Sequence, residues 1–184
     1  MKTGDLILDD FQKQILEEDG NILLCTGRQV GKTTIFAIKA AKYLIKNPNS
    51  QIICVSLTED QAKLIIVMVL DYLEKKYPKL LASKKDRPTQ TMITLTNGSK
   101  IRARPVGTTG DSVRGFTGDI LYIDEAAAMS QFVFDSAKPT LLTTEGKIWL
   151  SSTPRGRKGY FYECFLNKAK RFKVFYTSSE DVIK

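Results

Sequence analysis

Histidine is absent from the 184 residues, which removes the commonest general base near neutral pH and the commonest metal ligand. Any chemistry must therefore rest on carboxylates, hydroxyls, lysines and arginines. Cysteine is scarce: Cys25, Cys54 and Cys164 are odd in number and far apart. Two of them sit in apolar, strand-like runs, so they read as buried free thiols in a reducing compartment, not as a disulfide framework. No apolar run reaches the length of a membrane-spanning helix. The opening MKTGDLILDDFQKQ lacks the apolar core and small-residue cleavage site of a secretory signal. No repeat, low-complexity tract or interdomain linker interrupts the chain. One α/β domain over 1–184, large enough for a substantial core, is the expectation.

Positive charge, by contrast, is in excess: 28 Lys and Arg against 20 Asp and Glu, a formal net charge of +8. That balance suits a polyanionic partner, nucleic acid first among them. The stretch PRGRKGYFYECFLNKAKRFK (154–173) concentrates the charge between aromatics. It reads equally as a polyanion-binding segment and as an amphipathic helix with Tyr, Phe and Leu packed beneath solvated cations.

Hydrophobic periodicity alternates between strand and helix. Helical spacing of Ile7, Phe11, Ile15 and Leu16 covers 7–17, and NILLCT (21–26) is a short buried strand. A helix is predicted over 31–47, a β-branched strand over 51–57, and a long helix over 58–78 capped by Thr58 with acids behind it. Alternation on both sides of Asn97-Gly98 predicts a β-hairpin within 91–106. A glycine-rich loop (107–118) precedes strand DILYID (119–124), a helix over 125–142, strand KIWLSST (147–153), the basic helix, and strand FKVFYT (172–177). Strands alternating with helices predict a mostly parallel sheet covered on both faces.

Three stretches carry chemistry. CTGRQVGKTT (25–34) lies between a predicted strand and helix and has the Gly31-Lys32-Thr33 end of a phosphate-binding loop, although Thr26 stands where the opening glycine belongs. Backbone N–H groups there can curl around an anion at a helix N-terminus. Lys32 then reaches the β- and γ-phosphates, and the Thr33 hydroxyl reaches Mg²⁺. ILYIDEAA runs four apolar residues into Asp124 and Glu125. Two acids at the end of a buried strand are expensive unless they serve a site. Asp124 is the candidate to hold Mg²⁺, and Glu125 to take a proton from an attacking water. WLSSTPRG ends another apolar strand in Ser152 and Thr153, which read as sensors of the γ-phosphate or as a plain strand end before Pro154.

In this order the stretches resemble the ATPase domain of the large terminase subunit, the DNA-packaging motor of tailed viruses, over almost the whole chain. DDFQKQIL resembles that family's adenine-contacting segment, with Gln12 in the glutamine position. TGRQVGKTT resembles its deviant phosphate loop, in which an Arg-Gln pair precedes the last glycine and lysine. SVRGFTGDILYIDEAA resembles its arginine-glycine loop running into the Asp-Glu strand, and SSTP its coupling motif.

The resemblance implies a P-loop NTPase fold of the ASCE, RecA-like kind with an inserted β-hairpin, and ATP and Mg²⁺ as ligands. It implies a nucleotide cradle of Gln12, Thr26, Gly27, Arg28, Gln29, Val30, Gly31, Lys32, Thr33 and Thr34. Thr33 and Asp124 would hold the metal, Glu125, Lys32, Arg28 and Arg114 would act in catalysis, and Ser152 and Thr153 would couple hydrolysis to motion. Arg114 is the choice for a finger offered to a neighbouring subunit, with Arg102 and Arg104 as competitors. Implied partners are double-stranded DNA held through its phosphates, further copies in a ring on a viral portal, and a small terminase subunit, in the host cell cytoplasm and without a membrane. Large terminases usually add a C-terminal nuclease domain; no second acidic constellation follows in this chain, so no nuclease activity is expected of these residues. Alternatives from the same residues are a helicase-type DNA-dependent ATPase, a nucleotide-regulated DNA-binding module without turnover, and a small-molecule kinase.

Overall fold

The computed structural model describes residues 8–27, 31–106 and 115–177. Its elements run α1 (Asp10–Glu17), β1 (Ile22–Thr26), α2 (Lys32–Lys46), β2 (Gln51–Ser56), α3 (Glu59–Lys76), β3 (Met92–Thr94), β4 (Lys100–Pro105), β5 (Ile120–Ile123), α4 (Gln131–Ala137), β6 (Lys147–Ser152), α5 (Tyr160–Leu166) and β7 (Lys173–Thr177). The seven strands form one sheet in the order β3-β4-β2-β5-β6-β1-β7. Every pairing is parallel except β3 with β4, as the alternating pattern predicts.

Each central strand is apolar on both sides because the sheet is covered on both sides. Ile22 and Leu24, Ile52 and Cys54, and Ile120 and Tyr122 face α1, α2 and α3 in one core. Their neighbours Leu23 and Cys25, Ile53 and Val55, and Leu121 and Ile123 face α4 and α5 in the other. Trp149, Tyr122 and Phe36 are the largest buried contributors on the first side, with Phe36 tilted against Trp149 at 6.0 Å between ring centroids. Burying aromatics of this size is worth several kcal/mol each, of the order of 3–5 kcal/mol on truncation to Ala.

Local signals account for the element ends. Asp9 and Gln12 form a reciprocal capping box on α1, and the Thr58 hydroxyl accepts from Gln61 N–H at the start of α3. The hairpin closes through Leu95 N–H to Ser99 O (2.9 Å) and Gly98 N–H to Leu95 O (3.0 Å), with Gly98 left-handed at φ 85°. Its second strand is a full member of the sheet, parallel to β2, so the hairpin forms the sheet's edge. Asn97 donates to Leu44 O (2.8 Å) and pins the turn to the end of α2.

Two helices are shorter than predicted. The span 125–142 is a 3-10 turn (Ala126–Ala128), then α4, then a second 3-10 turn (Lys138–Leu141). Glu125 is left-handed (φ 50°, ψ 41°) and Ser130 extended (φ −72°, ψ 157°), so no continuous helix can pass through them, and Pro139 opens the second turn. The basic helix is reduced to the seven residues of α5. Pro154 and the left-handed Gly156 and Gly159 keep 154–159 irregular.

Candidate nucleotide site

Strand order decides where the chemistry gathers. β6 lies between β1 and β5. Leu23, Leu150 and Ile123 are in lateral register, and Cys25 pairs with Ser152. One step further along the parallel strands, the loop after β1, the hydroxyl end of β6 and the acids after β5 stand side by side at the C-terminal edge. That edge is where open α/β sheets bind ligands.

The loop side is built on Gly31, left-handed at φ 76°, which caps α2 without a side-chain hydrogen bond. The first N–H groups of α2 are therefore free of side-chain capping and suited to an anion. Lys32 is 8 % exposed, and its Nζ donates to Gly27 O at 3.2 Å. A buried ammonium satisfied by one carbonyl is a charge prepared for an anionic partner. Gln12, on the capped first turn of α1, brings its Nε2 to within 3.9 Å of the point where a Gly31 Cβ would stand. Thr26 is buried, its hydroxyl donating to Gly27 O at 3.3 Å.

Across the crevice, the Thr33 hydroxyl lies 3.4 Å from Asp124 Oδ2. Asp124 Oδ1 accepts from Ser151 Oγ at 2.6 Å and from Glu125 N–H at 3.0 Å. Burial raises the Asp124 pKa, opposed by the Ser151 hydrogen bond and reinforced by the neighbouring Glu125 charge. Glu125 Oε2 accepts from Ser152 Oγ (3.3 Å) and Thr153 Oγ1 (3.4 Å). The left-handed backbone of Glu125 costs energy for a residue with a Cβ. It turns the second carboxylate away from the first, toward β6.

Thus Gln12, Gly27, Gly31, Lys32, Thr33, Asp124, Glu125, Ser152 and Thr153 share one edge. The Thr34 hydroxyl does not join them; it turns to Met68 Sδ (4.0 Å) between α2 and α3. Arg28, Gln29, Val30 and Arg114 lie outside the described residues. Arg102 and Arg104 stack over the Phe116 ring, at 5.6 and 4.9 Å from its centroid. Sequence reading passed over Lys39 and gave no role of its own to Ser151, the first residue of the SSTP stretch. Strand alternation was the signal for Ser151, since consecutive serines at the end of β6 must face opposite sides of the sheet. Lys39 carried no signal, as a lysine in an amphipathic helix reads as solvated.

The residues present suit a magnesium ion. The cation would take hard oxygens from Thr33 and Asp124, with remaining positions left to water and substrate phosphates, as this ion prefers. Asp124 has no ion pair among the described residues. No cluster of three or more His, Cys, Asp or Glu among those residues offers a different metal cage.

The family model for the T4-like-virus type of large terminase subunit, N-terminal part, matches residues 23–181. The chain belongs to the large terminase family. The large terminase subunits of Thermus phage G20c and Thermus virus P23-45 are each 32% identical to it over 162 residues, which is 77% of this chain and 32% of theirs. The chain thus spans about a third of the length of those terminases. The ATPase domain of the Thermus phage P74-26 large terminase superimposes with a TM-score of 0.77 at 25% identity, covering 96% of this chain and 83% of that one. The large terminase of another thermophilic bacteriophage, solved in complex with ADP, has a TM-score of 0.77 at 17% identity, over 95% of this chain and 46% of its own. This terminase chain therefore has the P-loop NTPase fold and corresponds to a large-terminase ATPase domain.

Proposed function

We propose that this terminase domain hydrolyses ATP with Mg²⁺ and uses the energy to move double-stranded DNA into a viral procapsid. The observation that carries the reading is the convergence of Thr33 on Asp124 at 3.4 Å, with Glu125 held beside them by Ser152 and Thr153. ATP enters with its phosphates at the N-terminus of α2 and its base toward Gln12. Lys32 leaves Gly27 O for the phosphates. Bound Mg²⁺ supplies charge neutralisation and orientation of the phosphate oxygens. Glu125 orients a water and accepts its proton as the new oxygen–phosphorus bond forms and the bond to ADP breaks. Glu125 Oε1 accepts no hydrogen bond from the described residues, which leaves it for that water.

Thr153, bonded to Glu125, begins the exposed loop that carries Arg155, Arg157 and Lys158. These three cations have no ion pair among the described residues. They suit DNA phosphate better than Arg102 and Arg104, which already cover Phe116. Contact through phosphates is sequence-tolerant and weakens with salt. The motor acts as a ring of copies on a portal, with a small terminase subunit as a further partner, in the host cytoplasm. Arg114 serves the neighbouring subunit's nucleotide.

The test is steady-state Mg²⁺-ATP hydrolysis over a wide range of protein concentration, with Glu125→Ala and Arg114→Ala. Turnover per subunit should rise with concentration, and both variants should be inactive. Turnover that survives Glu125→Ala would remove the catalytic assignment. A flat rate with a fully active Arg114→Ala would remove the ring-completed site.

A further inference from the structure

Ser151 and Tyr122 form a buried chain of hydroxyls that ends on Asp124 and has no place in the reaction described above. Both are buried, at 0% and 1% exposure. Tyr122 Oη lies 3.0 Å from Ser151 Oγ, and Ser151 Oγ 2.6 Å from Asp124 Oδ1. The direction of the protons follows from valence. An ionised carboxylate only accepts, so Ser151 spends its single proton on Oδ1; its lone pair then accepts the Tyr122 proton. A chain of this polarity strengthens each of its members. The Tyr122 ring is itself fixed, stacked on Phe36 of α2 at 4.7 Å between centroids and 22° between planes. Phe36 lies three residues after Thr33 on the same helix.

The consequence for Asp124 is an asymmetry between its oxygens. Oδ1 receives two close hydrogen bonds, from Ser151 and from Glu125 N–H, while among the described residues Oδ2 has only the long contact with Thr33 at 3.4 Å. Rotation of the carboxylate would break both close bonds in a buried site, where unmet donors are costly. The geometry points to Tyr122 and Ser151 as positioning residues that hold Asp124 to one-oxygen use, with Oδ2 alone offered to the cation. The same stack links that orientation to α2, so both cation-facing groups are set by one packed unit, Phe36–Tyr122–Ser151–Asp124. This rests on the reading of Asp124 as the cation-holding residue.

The experiment uses the full chain and a fluorescent ADP analogue, with binding measured in EDTA and across a Mg²⁺ titration. In Ser151→Ala the Mg²⁺ concentration for half-maximal enhancement should rise about 10–100-fold, the usual penalty for losing an outer-shell partner, with metal-free affinity held within about twofold. Tyr122→Phe keeps the ring stack and should show a smaller rise in the same direction; it decides the matter should Ser151→Ala fail to fold. An unchanged Mg²⁺ midpoint in a folded variant overturns the inference. So does an equal loss of affinity with and without Mg²⁺, which would mark a purely structural role. A wild-type chain that binds the analogue without any Mg²⁺ dependence, or not at all, overturns the cation reading of Asp124 itself and this inference with it.

Discussion

Lys39 offers a quantitative test of how α1 is held against α2. It projects from α2 with 5 % exposure, and its Nζ donates to Leu16 O and Glu18 O at the end of α1. The ammonium also sits 5.1 Å from the centre of the Trp149 ring. Burial pushes its pKa from 10.5 down to about 8; Asp19 and Glu18 resist the fall, Lys147 and Lys42 add to it. Below pH 8 folded and unfolded chains both hold the proton, and the folded state carries the whole desolvation cost. Between 8 and 10.5 the unfolded chain binds more protons, so stability rises with pH. At about 1.4 kcal/mol per unit, the gap corresponds to roughly 3 kcal/mol.

In Lys39→Met the charge is gone and the two carbonyls lose their donor. The two changes oppose each other at pH 7. The pH dependence of the effect is the diagnostic quantity. Tyr43, Tyr72, Tyr122, Tyr160 and the three cysteines shift upward on burial and make stability fall at high pH. Those contributions are common to both proteins and cancel in the difference. Urea denaturation from pH 7 to 10.5 should show the wild type gaining roughly 3 kcal/mol on the variant. A difference independent of pH would refute the buried, charged lysine as the link between α1 and α2.

Other outcomes follow from single observations. Gly98→Ala should destabilise the chain by about 1–2 kcal/mol from the left-handed backbone alone, since φ is +85°. Its Cβ would also stand 2.2 Å from Asn49 Oδ1 and displace that side chain; a loss below about 0.5 kcal/mol in chemical denaturation would contradict this. All three cysteines are buried and free, with thiol pKa values raised by burial. A thiol reagent at pH 8 should label none of them in the native protein and all of them in denaturant. Rapid native labelling of Cys25, which lies just before the phosphate loop, would mean that this end of β1 opens in solution.

Much of this chain was legible from one dimension. Continuous apolar runs such as ILLCT and ILYI place the central strands, because a parallel sheet covered on both faces buries both sides of them, and period-3.6 spacing places the helices. Gly31-Lys32-Thr33 declared itself as the end of a phosphate-loop pattern between a strand and a helix, and Asp124-Glu125 because two acids at the end of an apolar strand are costly without a purpose. The helix over 125–142 was misread: Glu125 is left-handed where its carboxylate and the Ala127 N–H meet Ser152 of β6, contacts that local propensity does not encode, and Ser130 is extended. Only the tertiary structure decided that β6 stands between β1 and β5, bringing Ser151 to Asp124 and Thr153 to Glu125 across separations of 27 and 28 residues. Strand order is a property of how helices pack on the two faces, and no single strand carries it. For the same reason Lys39 reads as a solvated cation in the sequence and is a buried clasp in the fold: what it meets is a carbonyl pair from another helix, 21 and 23 residues away.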